Sequence, residues 1–280
     1  MYQIGLDDFL RRALAEDLGP GDITTDACVP SRTRAQGRFL TKEQGVICGM
    51  DILCRVFALL DSAVTVTPHV TDGDWVDAGT VIAEIHGPAR SILSGERLAL
   101  NLLCHLSGIA TKTAEAVAGV AGTKANICDT RKTTPGLRAL EKYAVKTGGG
   151  KNHRFGLFDG VLIKDNHIVA AGGISAAISA ARATVPHTIR IEVETENLAQ
   201  VAEAIEAGAD IIMLDNMDLP TMTAAVRLVA GCALTEASGN MGDKDLGAVA
   251  ETGVDFISIG ALTHTVRTLD ISLKFHCTDH

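Results

Sequence analysis

Aromatic residues are scarce in this sequence. Its 280 residues include one Trp, two Tyr and seven Phe, only 4% of the chain, although hydrophobic residues make up 46%. The core must therefore consist mainly of Ala, Val, Ile and Leu, a composition that suits helices alternating with buried parallel strands. A chain of this length can form one large domain or two modest ones.

Long apolar runs and paired cysteines are also missing. No run approaches the roughly 20 apolar residues that a membrane-spanning helix needs, and the acidic, amphipathic N-terminus is not typical of a secretory signal. The seven cysteines are scattered and contain no CxxC motif, which indicates reduced thiols. We therefore expect a cytoplasmic protein with no membrane partner.

Two classes of nucleotide-binding motif are absent as well. Neither a GxGxxG after a first strand nor a Walker loop occurs, which disfavours dinucleotides and nucleoside triphosphates as ligands. The net charge of −9 argues against a general nucleic-acid partner.

One segment, residues 129–168, reverses this acidic balance. Its four anions are Asp129, Glu141, Asp159 and Asp165. Its eight cations are Arg131, Lys132, Arg138, Lys142, Lys146, Lys151, Arg154 and Lys164. A basic centre in an acidic protein attracts anionic ligands, so we expect a small anion to bind here.

The N-terminal half alternates helical and strand-like patterns. Residues 6–17 and 51–60 predict helices, the segment 22–25 predicts the start of an extended region, and three stretches between 36 and 88 predict a β-sandwich. The hairpin pattern at 73–87 resembles biotinyl and lipoyl carriers, but no lysine lies between Lys42 and Lys112 to carry the group. A long helical tract covers 89–120, with a possible break at Gly95.

After Gly122, six strand-like runs alternate with helix-like runs. This pattern predicts a parallel barrel or an open doubly wound sheet, and only a barrel places all six strand exits around one mouth. We predict an N-terminal domain at 1–120, a barrel at 121–265, and a final segment at 266–280 that packs on the N-terminal domain.

Polar residues follow every strand of the predicted barrel, where barrel enzymes hold their sites. These exit residues are Thr130, Arg131 and Lys132; Lys164; Glu192 and Glu194; Asp215; Glu236, Ser238, Gly239 and Asn240; and Ser258, Ile259 and Gly260.

Three groups of these residues predict a role in binding. Arg131 and Lys132 precede a helix start, where cations need an anionic partner. The glycine-rich loop that ends in His153 and Arg154 can close on an anion. Glu194 and Asp215, on neighbouring strands, can hold Mg²⁺ or sugar hydroxyls.

The last two strands predict a phosphate site. Its candidate residues are 238–240 and 258–260, followed by a short helix at 261–264, ending at His264, whose N-terminal amides would face a phosphate. Turn chemistry explains the glycines equally well.

Together these motifs resemble a known family. DTRKTTPGLRALEKYAVKTGGGKNHRFGLFDGVLIKDNHI, with GDITT, GVICG, SGERLALNLL, IEVE, MLDN, EASGN and SIGALTH, is similar to quinolinate phosphoribosyltransferases over nearly the whole chain. The resemblance implies an N-terminal α/β sandwich followed by an incomplete parallel α/β barrel. It also implies Mg²⁺-dependent transfer of phosphoribose from phosphoribosyl pyrophosphate to quinolinate, with release of pyrophosphate and CO₂.

The resemblance further implies roles for individual residues. Arg131, His153, Arg154 and Lys164 would bind the quinolinate carboxylates. Lys132, Glu194 and Asp215 would face the ribose phosphate, with the two carboxylates holding Mg²⁺ directly or through water or substrate. Segments 238–240 and 258–260 would hold phosphate.

Arg97 has two interpretations. Its pattern alone favours a solvated surface pair with Glu96, whereas the resemblance implies a quinolinate ligand donated by a neighbouring subunit of a homodimer or higher even oligomer.

Two other functions fit the same scaffold: a paralogue with another acceptor, such as the molybdenum-transport-associated relatives, and a non-catalytic sensor of an anionic metabolite. The presence of Arg131, His153, Arg154 and Lys164 together disfavours the paralogue, because a different acceptor would not require all four. Glu194 and Asp215 disfavour the sensor.

Overall fold

The computed structural model describes residues 5–277, and the chain forms two compact units. Within the described residues, the first unit contains 5–112, 139–148 and 266–277, and the second contains 113–138 and 149–265. This division differs from the expected boundary at residue 120, because 113–120 belong to the second unit and 139–148 to the first. The predicted tail residues 278–280 lie outside the described residues.

The elements of the first unit are α1 (Leu6–Leu18), α2 (Ile23–Cys28), β1 (Arg34–Thr41), β2 (Gly45–Val46), α3 (Met50–Leu60), β3 (Thr65–Pro68), β4 (Trp75–Val76), β5 (Val81–Pro88), most of α4 (Ala89–Gly119), most of α5 (Arg138–Thr147) and β12 (Ile271–Cys277).

The elements of the second unit are β6 (Asn126–Cys128), β7 (Val161–Ile163), α6 (Asp165–Ala171), α7 (Ile174–Thr184), β8 (Ile191–Thr195), α8 (Leu198–Glu206), β9 (Ile211–Asp215), α9 (Leu219–Val229), β10 (Leu234–Ser238), a 3-10 turn (Met241–Asp243), α10 (Leu246–Glu251), β11 (Phe256–Ser258) and α11 (Ala261–His264).

An antiparallel sheet in the order β12-β1-β5-β3 organises the first unit. Exposed and buried residues alternate along β1, as expected for a strand with one face on a core. Phe39 on β1 and Phe57 on α3 are fully buried, with ring centroids 6.3 Å apart. The helix α3 therefore packs on this sheet through the ring of Phe57. The last strand of the chain, β12, pairs with β1 along seven residues.

The extended conformation expected at 22–25 is wrong. Residues Ile23–Cys28 form the helix α2, and the carboxylate of Asp22 accepts a hydrogen bond from the amide of Thr25 at 3.0 Å. Asp at this position satisfies an amide that a helix start leaves without a partner. The residues of this segment have a strand-like composition, but Asp22 followed by Thr25 is also a typical N-cap pattern. That pattern indicates the start of a helix.

The helix break expected at Gly95 is also wrong, because α4 runs without interruption from Ala89 to Gly119. A Cβ at Gly95 would lie 2.7 Å from Cε1 of Phe57 and 3.1 Å from Cδ2 of Leu60. The glycine therefore allows α4 to approach α3 closely.

Replacing Gly95 by valine should lower the free energy of unfolding by about 1–3 kcal/mol, because the added methyl groups overpack the contact with Phe57. Gly119→Val is the matched control, since a Cβ at Gly119 meets nothing within 4 Å. Urea unfolding of both variants checks this. Equal losses of stability would mean that helix propensity, and not the contact with α3, limits position 95.

A six-stranded parallel sheet in the order β6-β11-β10-β9-β8-β7 forms the second unit. From β7 to β11 each strand lies beside the next one in sequence, and β6 then follows β11. An open doubly wound sheet would instead reverse its order at a switch point. The cyclic order is that of a barrel, interrupted between β6 and β7, and confirms the fold predicted from the sequence.

The helices of the second unit follow the predicted alternation with two differences. The helix expected from Pro135 begins at Arg138, and α6 at Asp165–Ala171 was not predicted. No helix among residues 5–277 is both long and apolar enough to cross a membrane.

Candidate active site

The carboxyl ends of the six parallel strands enclose a cavity of about 500 Å³. The predicted site residues that line it are Thr130, Arg131, Lys132, His153, Arg154, Lys164, Glu194, Asp215, Ser238, Gly239, Asn240 and Ser258. The sheet brings them together because parallel strands all end at the same edge. Leu162, Met213, Asn216 and Glu236 complete the lining.

Two arginines form the basic side of the cavity. The buried Nε of Arg131 has no hydrogen-bond partner. Burial lowers the pKa of Arg154, and the charge of Arg131 lowers it further. An Nη1 of Arg154 donates to the carbonyl of Gly160 at 3.0 Å. Two neighbouring guanidinium groups with unused donor capacity are suited to a planar anion.

Two carboxylates lie at the ends of the neighbouring strands β8 and β9. An oxygen of Glu194 is 2.8 Å from the Nζ of Lys164. An oxygen of Asp215 accepts a hydrogen bond from the side chain of Asn216 at 2.6 Å. The cavity therefore carries positive and negative charge on different strands, which suits a ligand with both anionic groups and hydroxyls.

The loop after β10 supplies backbone close to the cavity. Gly239 has φ +93°, and a Cβ there would overlap the side chain of Asn216. Asn240 also has a left-handed backbone, with φ 52°. Lys132 lies against Gly260, where a Cβ would be 2.9 Å from the lysine Cδ. Glycine at position 239 thus allows the side chain of Asn216 to lie against the backbone, and glycine at position 260 does the same for Lys132. The two glycines do more than form turns.

The short helix predicted at 261–264 is present as the single turn α11. The amides of Thr263 and His264 donate to the carbonyl of Gly260 at 3.1 Å, and the amide of Ile259 donates to Cys128. The His264 ring contacts the hydroxyl of Thr265. Among the described residues, Ile259, Gly260 and His264 are not part of the cavity lining.

Arg97 is exposed on α4 in the first unit. Burial raises the pKa of the adjacent Glu96, and the charge of Arg97 opposes that increase. Within residues 5–277, Arg97 forms no ion pair.

Two of the residues expected at strand exits, Glu192 and Glu236, are instead buried within β8 and β10 beneath the mouth of the cavity. Glu192 and Glu236 lie one inward-facing position below Glu194 and Ser238 on β8 and β10, and both approach the ring of His153. Within the described chain, only these three side chains lie close enough together to form a set of three potential metal ligands.

The fold and the cavity define an α/β-barrel protein with a charged site, lined by arginines and carboxylates, at the carboxyl ends of its strands. The profile for the C-terminal domain of quinolinate phosphoribosyl transferase matches residues 109–274, and that for the N-terminal domain matches residues 22–107. The chain belongs to the quinolinate phosphoribosyl transferase family, whose members are pentosyltransferases.

Individual relatives agree with this assignment. The chain is 48% identical over 273 residues to a probable nicotinate-nucleotide pyrophosphorylase [carboxylating] of Bacillus subtilis, covering 98% of this chain and 94% of the relative. It is 45% identical to the Mycobacterium leprae enzyme of that name, covering 95% of both chains. The solved nicotinate-nucleotide pyrophosphorylase from Francisella tularensis superposes with a TM-score of 0.94 at 40% identity, covering 99% of this chain and 98% of that one.

Proposed function

We propose that this protein catalyses the Mg²⁺-dependent, decarboxylating transfer of phosphoribose from phosphoribosyl pyrophosphate to quinolinate. The products are nicotinate mononucleotide, pyrophosphate and CO₂. The relatives' names support the reaction, and the charges around the cavity support the two substrates.

The observation that carries this proposal is the partnerless, buried Nε of Arg131 beside Arg154. A buried N–H donor without a partner is costly, and the neighbouring charge of Arg154 adds repulsion. Quinolinate carries two carboxylates on a planar ring, so it can satisfy both arginines through paired hydrogen bonds. Lys164, although paired with Glu194, lines the same cavity.

No side chain has to act as a nucleophile, because the pyridine nitrogen of quinolinate attacks the anomeric carbon. Positive charge develops on the ribose as pyrophosphate leaves, and Glu194 and Asp215 can stabilise it. The electron pair left when CO₂ departs stays on the adjacent carbon, where the positive charge of the quaternised ring nitrogen stabilises it, and a proton then binds to that carbon. Positioning and electrostatics thus supply most of the catalysis.

The oxygen donors of Glu194 and Asp215 fit Mg²⁺, which prefers carboxylate ligands. Bound there directly, or through water or substrate oxygens, Mg²⁺ would neutralise the leaving pyrophosphate. Lys132 lines the same cavity and can bind a phosphate oxygen through its ammonium group.

We also propose that the functional assembly is a homodimer or a higher even oligomer in which Arg97 serves the neighbouring subunit. An exposed apolar surface supports an interface: Phe155 is 42% exposed, Leu157 74% and Phe158 79%, all on the loop that begins at Arg154, and Val169 on α6 is 81% exposed. Several exposed apolar side chains on one loop are typical of a protein contact.

The direct test measures CO₂ released from quinolinate labelled in the 2-carboxylate. Release should require phosphoribosyl pyrophosphate and should cease when EDTA removes Mg²⁺. Release with another pyridine acid but not with quinolinate would identify a paralogue. Ligand binding without turnover would identify a sensor.

Asp215→Asn should reduce kcat by about 10²-fold or more, because the carboxylate charge matters most when the ribose becomes cationic. The affinity for quinolinate should change little, since the substitution keeps the shape of the side chain. Steady-state kinetics together with equilibrium binding of quinolinate separate the two effects. Normal turnover in this variant would remove Asp215 from the mechanism.

A further inference from the structure

A buried cluster of His153, Glu192 and Glu236 lies beneath the mouth of the barrel. Glu192 is 4% exposed and Glu236 2%, at interior positions that barrels usually fill with branched apolar side chains. The Nε2 of His153 is 3.0 Å from Oε2 of Glu192 and 3.5 Å from Oε1 of Glu236. The Oε1 atoms of both glutamates have no hydrogen-bond partner.

Both ring nitrogens of His153 are engaged by the protein. The backbone amide of Arg154 donates to Nδ1 at 2.8 Å, so Nδ1 carries no proton and the neutral ring is protonated at Nε2. The Nε2–H faces the glutamates. The amide of His153 itself donates to Asp129 at 2.9 Å. A substrate carboxylate could therefore accept the Nε2–H only if the contact with the glutamates broke.

Packing alone does not hold this ring. His153, Arg154 and Glu236 line the mouth cavity and also a second cavity of about 340 Å³, which reaches the starts of β7, β9 and β11. Space on two sides leaves the orientation of the ring to its hydrogen bonds.

The cluster also interacts electrostatically with Arg154 at the mouth of the cavity. Glu192 counteracts the lowering of the pKa of Arg154 that burial and Arg131 cause. Burial, and next the charge of Glu192, raise the pKa of Glu236 to about 7.

We propose that Glu192 and Glu236 are positioning residues that hold His153 as a neutral ring with its Nε2–H directed at them. His153 then helps to fix the backbone at 153–154, which aims Arg154 at the quinolinate carboxylates. This inference rests on the proposed function.

The kinetic test compares Glu192→Leu with Glu192→Gln. The leucine variant removes the acceptor and should raise the KM for quinolinate about 10- to 100-fold, with the KM for phosphoribosyl pyrophosphate changed by less than about twofold. Glutamine keeps an acceptor oxygen and should restore most of the affinity. Equal increases in both KM values, or a glutamine variant as impaired as the leucine variant, would overturn the proposal.

Glu141→Gln and Glu141→Leu are the matched controls. Glu141 is also fully buried and also contacts a histidine, with Oε1 2.9 Å from Nε2 of His105 in the first unit. These variants should lower the melting temperature without changing the ratio of the two KM values. A change in that ratio equal to the one in the Glu192 variants would contradict a specific role for the cluster.

A second measurement is independent of activity. Long-range ¹H–¹⁵N NMR correlations of the wild-type protein, assigned with His153→Asn, should show a neutral His153 protonated at Nε2 at neutral pH, and this signal should change in Glu192→Gln. A ring protonated at Nδ1, or an imidazolium, overturns the proposal. A stoichiometric bound metal that is lost in Glu192→Gln would also overturn the proposal.

The two proposals fail in different ways. If wild-type protein releases no CO₂, the proposed function is wrong. The NMR experiment still decides the arrangement of the cluster, even where Glu192→Leu does not fold.

Discussion

Arg131→Ala should weaken quinolinate binding by about 2–5 kcal/mol, as expected when one member of a desolvated charge pair is removed. The Nε of Arg131 is buried without a hydrogen-bond partner, so it can donate a hydrogen bond to a ligand. Without Arg131, one quinolinate carboxylate would lose its planar, two-pronged donor. Equilibrium binding of quinolinate and of phosphoribosyl pyrophosphate measures the effect on each ligand, and the second should change less.

Two further variants separate charge from geometry in this experiment. Arg131→Lys keeps the charge but loses the guanidinium fork, so it should recover only part of the affinity. Arg182→Ala breaks an exposed ion pair with Asp210 and should leave both affinities unchanged. An equal loss for both substrates in Arg131→Ala would mean that Arg131 is structural or shared between them.

Mixing two inactive variants, Arg97→Ala and Lys132→Ala, should restore activity. Arg97 is exposed on α4, without an ion pair in the described part of the chain, whereas Lys132 lines the barrel cavity. If Arg97 completes the site of the neighbouring subunit, a two-fold interface exchanges it in both directions. In a mixed dimer, one site then collects both substitutions and the other keeps both native residues.

The expected activity is about half that of a wild-type dimer for each mixed dimer formed, because one of its two sites is intact. Subunits are dissociated in mild denaturant, mixed and reassembled, and each variant treated alone is the control for spontaneous recovery. If Arg97 instead serves its own chain, every site keeps one substitution and the mixture stays inactive.

Local sequence patterns determined the order of the strands in the second unit and the residues at the ends of those strands. Alternating apolar runs predicted the six strands of the second unit, and the residues directly after them, such as Arg131, Lys164 and Asp215, lie around one cavity because parallel strands end at a common edge. The density of cations in 129–168 predicted an anion site before any contact was known. These features depend on the residue type and its distance from a strand end, and both can be read from the sequence.

Only the tertiary structure decided which side chains meet across the barrel. The contact of His153 with Glu192 and Glu236 joins residues 39 and 83 positions apart, and it depends on strand register and on the path of a glycine-rich loop. Gly95 was misread for the same reason, since the ring of Phe57 that requires it belongs to another helix. Periodicity reports which face of an element is buried, but the partner that covers this face is set by packing between distant segments.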